Sequence, residues 1–140
     1  MKEEMSLNQR FGYLFGAVYA LVGVVGFALT GGVPFAATEG RILVLFNVNP
    51  LHNLIHIAVG GLFLVGAAAG AAWSWKVNRL IGVVYLAVGV VGIFLVGGDL
   101  NILALNHPDN GLHLVTGIAA LVVSGKGAKE VASSLGVSRA

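Results

Sequence analysis

The stretch Gly16-Ala-Val-Tyr-Ala-Leu-Val-Gly-Val-Val-Gly26 returns later in the chain as Gly82-Val-Val-Tyr-Leu-Ala-Val-Gly-Val-Val-Gly92, at an offset of 66 residues. Both copies are apolar apart from one tyrosine and carry glycine at helical spacing. In a helix the glycines and the tyrosine share one face, where the missing side chains let two backbones approach closely. The stretch therefore predicts packed membrane helices and an internal repeat. The predicted packing residues are Gly16, Tyr19, Gly23, Gly26, Gly82, Tyr85, Gly89 and Gly92.

The composition of the 140-residue chain agrees with a membrane location. Hydrophobic residues make up 57% of it and charged residues only 10%, whereas a soluble domain usually carries about 25% charged residues. The chain has no cysteine, which excludes disulfide frameworks, thiolate metal sites and cysteine nucleophiles. The basic residues lie beside apolar segments, so we predict a lipid bilayer as their partner and no nucleic acid.

Four apolar segments are candidates for membrane spans: residues 11–31, 51–75, 80–98 and 108–123. About 20 residues cross a hydrocarbon core, and the fourth segment is the shortest. Either its helix continues into the cytosol through residues 125–134, or the bilayer thins locally around it. The first segment is longer than the apolar core of a signal peptide, and we interpret it as a retained span. The sequence predicts an all-α, four-helix transmembrane bundle within one integral membrane domain, residues 1–140.

Spans two and four begin with a second repeated pattern. Asn49-Pro-Leu-His-Asn-Leu-Ile-His56 corresponds to Asn106-His-Pro-Asp-Asn-Gly-Leu-His113 at an offset of 57 residues. The chain thus reads as two tandem hairpins, at about residues 10–75 and 79–125, followed by a cytoplasmic tail at about 126–140. Each repeat holds two spans and keeps the same topology, so we predict approximate twofold symmetry about an axis along the membrane normal.

The distribution of basic residues predicts the orientation. Only Arg41 lies on one side of the predicted spans, near acidic residues. The other side carries Lys2, Arg10, Lys76, Arg79, Lys126, Lys129 and Arg139. We predict a multi-pass protein of the inner (plasma) membrane. The positive-inside rule then places both of its termini in the cytoplasm. Trp73 and Trp75 are predicted to anchor span two at the cytoplasmic interface.

The outer ends of spans two and four carry the residues with distinctive chemistry. Asn49 before Pro50 predicts a capped helix start, and Asn106 is the equivalent cap. Each helix start carries a polar pair one turn apart, His52 with His56 and Asp109 with His113. Intramembrane ionisable groups should face the bundle interior. The two pairs form a candidate metal site: His52, His56, Asp109 and His113. Such a set suits zinc, and imidazole also suits copper, iron or nickel.

The same residues also fit a hydrogen-bonded cluster without an ion. An aspartate in a first helical turn is stabilised by the helix dipole, and a histidine there can pair with a neighbouring amide. The remaining members of the predicted polar cluster are Asn53, His107 and Asn110. Both interpretations predict that His56 and His113 face each other across the bundle.

These patterns resemble a known family. The H-N-L-x-H motif from His52 to His56 and the D-N-x-L-H-L motif from Asp109 to Leu114 resemble a bacterial four-span membrane family catalogued only as a domain of unknown function. The resemblance covers about residues 10–125. It implies the fold, the membrane location and the His and Asn positions as family features, and it implies no activity.

Several functions are compatible with these observations. The first is a small structural or accessory membrane protein whose glycine faces pack within the bundle or against partners, in a homo-oligomer or a larger complex. The alternative is an extracytoplasmic metal-binding protein, with haem held between His56 and His113 as a less favoured variant. Transport or sensing is disfavoured, because no polar path to the cytoplasm is visible. No nucleophile or phosphate-binding motif supports an enzyme.

Overall fold

The computed structural model describes residues 4–134. Four helices follow one another as α1 (Leu7–Leu29), α2 (Pro50–Ala68), α3 (Ala71–Leu95) and α4 (His107–Ser134). Between α1 and α2, two three-residue strands, β1 (Arg41–Leu43) and β2 (Phe46–Val48), pair as an antiparallel hairpin. Each helix is long and apolar enough to cross a membrane. The prediction of an all-α, four-span bundle is thus confirmed.

The helix starts follow from local capping chemistry. Asn49 Oδ1 accepts a hydrogen bond from the His52 amide at 2.8 Å, and Pro50 occupies the first turn. Asn106 Oδ1 accepts from the Asp109 amide at 2.9 Å in the same way. Both side chains satisfy an amide that the first helical turn leaves unpaired. The two predicted caps are confirmed.

One predicted boundary was wrong. Span two was expected to reach Trp75, but α2 ends at Ala68 and the chain turns at Gly70, whose φ is +106°. This backbone conformation favours glycine, and the surrounding alanine and glycine residues have uniform hydropathy that hides the break. The two tryptophans therefore belong to the start of α3, where Lys76 Nζ lies 4.8 Å from the ring centre of Trp73.

The repeated glycine faces join the helices within each hairpin. A Cβ added to Gly16 would lie 2.9 Å from the carbonyl oxygen of Gly60, and one added to Gly82 would lie 3.1 Å from that of Gly117. The glycines thus bring α1 against α2 and α3 against α4 at backbone contact. Both contacts involve residues related by the 66- and 57-residue offsets.

The two hairpins meet through a layer of large side chains. Tyr19 of α1 and Tyr85 of α3 pack edge to face with ring centroids 5.4 Å apart. The buried core around them adds Phe11, Phe63, Ile81 and Ala120. This layer separates the bundle end at which α2 and α4 begin, called here the hairpin end, from a buried amide pair at the other end. In that pair, Asn78 Nδ2 donates to Asn8 Oδ1 at 2.9 Å.

The hairpin end is closed by the connections between the helices. The fully buried Asn49 donates from Nδ2 to the carbonyl oxygens of Ala37 and Ile102, each at 2.7 Å. One side chain therefore caps α2 and links the loop of the first repeat to that of the second. The cap places irregular backbone over the helix starts and shields what lies beneath them.

Candidate metal centre

Three histidines meet inside the bundle at the hairpin end. His52 and His56 project from successive turns of α2, and His113 projects from α4; their side chains are only 2%, 4% and 4% exposed. Each offers one ring nitrogen, and these three nitrogens all lie within 4.8 Å of one another. The ring centroids of His56 and His113 are 6.4 Å apart. We call these three residues the His cluster.

Hydrogen bonds orient the first ring of the His cluster. His52 Nδ1 lies 3.1 Å from the carbonyl oxygen of Asn47. A carbonyl oxygen only accepts, so Nδ1 carries the proton and Nε2 of the neutral ring keeps its lone pair. His56 Nε2 lies 2.8 Å from His52 Nε2 and is the donor to that lone pair. The lone pair of His52 thus points at His56, within the His cluster.

Aromatic rings hold the other two imidazoles in place. The Tyr19 ring stacks on His56 with centroids 5.1 Å apart, and the Tyr85 ring packs edge-on against His113 at 5.0 Å. The Tyr19 hydroxyl donates to Thr116 Oγ1 at 2.8 Å, so its buried polar group has a partner. Tyr19 and Tyr85, predicted as packing residues, thus also contact the His cluster.

The His cluster retains unused hydrogen-bonding capacity. Within residues 4–134, the buried Nδ1 atoms of His56 and His113 have no hydrogen-bond partner. Buried polar atoms in proteins are nearly always paired, and within the described residues five asparagine side chains also carry a buried unpaired atom. The cluster therefore has more donor and acceptor capacity than its protein neighbours satisfy.

Asp109, the fourth predicted ligand, makes different contacts. Its Oδ2 accepts hydrogen bonds from the amides of Asn106 at 2.9 Å and Asn47 at 3.1 Å. It is not one of the three residues whose ligand atoms lie within 4.8 Å of one another. Its buried carboxylate ties β2 to the start of α4.

The other predicted polar residues lie around the His cluster and not in it. His107 is exposed at the start of α4. Asn53 and Asn110 are buried, but the side-chain oxygen of each lies where a Cβ would project from Gly26 and Gly92, respectively. The two amides thus fill the helix contacts that these glycines open.

A small cavity of about 90 Å³ adjoins the His cluster between α1, α4 and β2. Most of its walls are apolar side chains, and its lining also includes His56, Asp109, Tyr19 and Thr116. The cavity exceeds the roughly 10–15 Å³ of probe volume that one water needs. His56 of the His cluster and Asp109 therefore line the same space.

Two contributors were missed by sequence reasoning. Asn47 orients His52 through its main-chain carbonyl, and a main-chain contact leaves no trace in residue type. Thr116 follows His113 at a spacing of three residues on α4 and binds the Tyr19 hydroxyl. That helical spacing was a usable signal for Thr116, because positions three apart share a helix face.

Comparison with known proteins gives a family and no activity. No match was found among curated proteins or among solved structures. Residues 9–125 match the family described as Domain of unknown function (DUF4383). That range contains all four helices to within the ends of α1 and α4, together with the whole His cluster. The chain therefore belongs to this family of unknown function, DUF4383.

Proposed function

We propose that this membrane protein binds one transition-metal ion, such as Zn²⁺, through His52, His56 and His113. The observation that carries the proposal is that three buried ring nitrogens lie within 4.8 Å of one another. Nitrogen ligands at 2.0–2.1 Å from a tetrahedral zinc ion lie roughly 3.3–3.4 Å apart. The His52 and His56 nitrogens, 2.8 Å apart, are closer than that value, and all three nitrogens lie within 4.8 Å. Ring rotations that bring the separations to that value, with the His56 proton moved from Nε2 to Nδ1, would form the site.

The hydrogen bond of His52 supports this proposal. Metal-bound histidines usually donate their second ring nitrogen to a carbonyl or carboxylate, as His52 does to Asn47. Three protein ligands leave a fourth position, and the cavity beside His56 gives water room to take it. Asp109 lines the same cavity and supplies a negative charge near a buried cation.

Haem is less favoured by the packing around these rings. An iron held between His56 and His113 would need space for a porphyrin around it. His52 lies 4.6 Å from His56 and 5.9 Å from His113 between ring centroids. Tyr19 and Tyr85 pack on the same two rings. The surroundings of the His cluster fit a bare ion better than a macrocycle.

We also propose that the protein lies in the inner membrane with the hairpin end facing away from the cytoplasm. Arg41, in β1, belongs to the hairpin end. The described basic residues near the opposite ends of the helices are Arg10, Lys76, Arg79 and Lys126. Lys2, the Lys129 side chain and Arg139 lie outside the described residues. This asymmetry supports cytoplasmic termini and an extracytoplasmic metal site.

Metal analysis of the purified protein tests the proposed ion. Protein in detergent, dialysed against Zn²⁺ or Co²⁺, should retain about one ion per chain, and Co²⁺ should give the visible absorption of a tetrahedral nitrogen site. His56→Gln and His113→Gln should lose that absorption and nearly all bound metal. His107→Gln is the matched control and should keep both, since His107 lies outside the cluster. Acid should release the ion, because protons compete for the same lone pairs.

The second candidate is a structural or accessory membrane protein without an ion. The observation that favours it is the 2.8 Å contact between His52 and His56, which is the length of a direct hydrogen bond. In that case the His cluster is a packing element of the bundle. Purified protein that takes up no Zn²⁺ or Co²⁺, while remaining folded, would refute metal binding and leave this function.

A further inference from the structure

The turn of the β-hairpin exposes three large apolar side chains outside the helices. Ile42 is 62% exposed, Val44 80% and Leu45 63%. These three residues, called here the hairpin tip, are almost contiguous in sequence. Isolated exposed apolar residues are common, but a contiguous patch marks a contact with a membrane or a partner. The tip has no polar side chain between Ile42 and Phe46 with which to interact with water.

The backbone of the hairpin tip makes the apolar residues more unexpected. Leu43 pairs with Phe46, so Val44 and Leu45 form a two-residue turn. Val44 has a φ of +62°, whereas Leu45 is not among the residues with positive φ. Turns of this kind normally place glycine at the first position, because a β-branched side chain is strained there. Valine at this position has neither the backbone freedom of glycine nor a polar side chain. What it provides is an exposed apolar surface.

The hairpin tip lies at the level of the membrane boundary. Asn106 Nδ2 donates to the carbonyl oxygen of Leu45 at 3.0 Å, which holds the tip beside the start of α4. The parallel helix α2 has 19 residues and spans about 28 Å at 1.5 Å per residue, close to the thickness of the hydrocarbon core. The starts of α2 and α4 therefore lie at the edge of that core.

We propose that the hairpin tip inserts into the lipid at the hairpin end of the bundle, between the headgroups and the acyl chains. The spanning helices also expose apolar side chains to lipid, such as Val115 and Ile118 of α4, which are 66% and 54% exposed. Lipid at this level covers Ile42, Val44 and Leu45 without a second protein. This inference does not depend on the proposed metal ion.

Tryptophan fluorescence in vesicles tests the insertion. Leu45→Trp is made in a chain in which Trp73 and Trp75 are replaced by Phe, and the protein is reconstituted in phosphatidylcholine with some lipid brominated near the glycerol end of the acyl chains. Its emission should be blue-shifted, quenched by the brominated lipid and insensitive to iodide present on both sides. Glu39→Trp in the same background is the aqueous control, because Glu39 is exposed on the same connection. It should show the reverse pattern.

Single cysteines give a second measurement that leaves the tryptophans in place. The chain has no cysteine, so Val44→Cys and Thr38→Cys each carry one thiol. A charged maleimide should modify Val44→Cys at least about tenfold more slowly than Thr38→Cys in vesicles, because apolar surroundings suppress the thiolate. Iodide quenching or fast labelling equal to the controls would overturn the proposal. Protection from both iodide and brominated lipid would also overturn it, and would indicate a protein partner or a second copy.

Discussion

At the scale of single residues, close helix packing depends on which side of a helix a glycine faces. Gly60 and Gly61 are neighbours in α2 with opposite surroundings. A Cβ on Gly60 would lie 2.5 Å from the amide nitrogen of Ala20 and 2.8 Å from the carbonyl oxygen of Gly16, whereas one on Gly61 would meet nothing within 4 Å. Backbone atoms of a packed helix cannot move aside as a flexible side chain can. The two glycines therefore differ in what they contribute.

We expect Gly60→Ala to destabilise the bundle by about 1–3 kcal/mol, because overpacking forces α1 and α2 apart. Gly61→Ala is the matched control and should be neutral or stabilising by up to about 1 kcal/mol, since alanine favours the helix. Thermal or denaturant unfolding of both variants in the same detergent measures the difference. Equal stability of the two variants would contradict the packing of α1 on α2 described above.

At the scale of secondary-structure elements, the Asp109 carboxylate ties the hairpin to α4 beside the bond from Asn106 to Leu45. Asp109 Oδ2 accepts from the amides of Asn47 and Asn106. Asn47 in turn accepts from His52 Nδ1 through its carbonyl. Asp109 therefore connects β2, the start of α4 and the first ring of the His cluster. His52 occupies the equivalent position in the first repeat, and its side chain does not accept hydrogen bonds from these amides.

We expect Asp109→Ala to destabilise the protein by about 1–3 kcal/mol, the cost of leaving amides without a charged acceptor. Amide hydrogen exchange should accelerate at Asn47 and Asn106, while that of α3 stays unchanged. Asp99→Ala is the control, because Asp99 is an exposed acidic residue on the second connection. Unchanged exchange at Asn47 would show that other contacts hold the hairpin in place.

At the scale of the whole molecule, matched contacts relate the two halves. A Cβ added to Gly23 would lie 2.5 Å from the carbonyl oxygen of Asn53, and one added to Gly89 would lie 3.1 Å from that of Asn110. These residues are related by the same two offsets as the sequence motifs. The contacts support the proposed twofold axis along the membrane normal. Equal topology of the halves also requires both termini to lie on one side.

Reporter fusions test that orientation. A reporter active only in the cytoplasm should be active when fused after Ala140 and inactive when inserted beside Glu39. The reason is the concentration of basic residues at the end opposite Arg41. The complementary reporter, active only outside, serves as the control for expression. Activity of one reporter at both positions would contradict the four-span topology, and exchanged activities would contradict the orientation alone.

Sequence by itself determined the four helices and their caps, and it predicted that the glycine faces are places of close packing; that these faces join α1 to α2 and α3 to α4 came from the structure. These features depend on local composition and on periodicity. A run of about 20 apolar residues spans the membrane whatever surrounds it, and Asn49 caps α2 through atoms three residues away. The His motif was visible for the same reason, because residues four apart share a helix face.

Tertiary structure alone decided how equivalent positions diverge. His52 and Asp109 occupy the same place in the repeated motif, yet His52 turns into the His cluster and Asp109 binds backbone amides. The difference arises because β2 lies over the helix starts and presents the Asn47 carbonyl to one residue and the Asn47 amide to the other. The main-chain partner of such a contact leaves no signature in residue type or spacing. The bend at Gly70 and the separation of Asp109 from the His cluster therefore emerge only when the whole chain is packed.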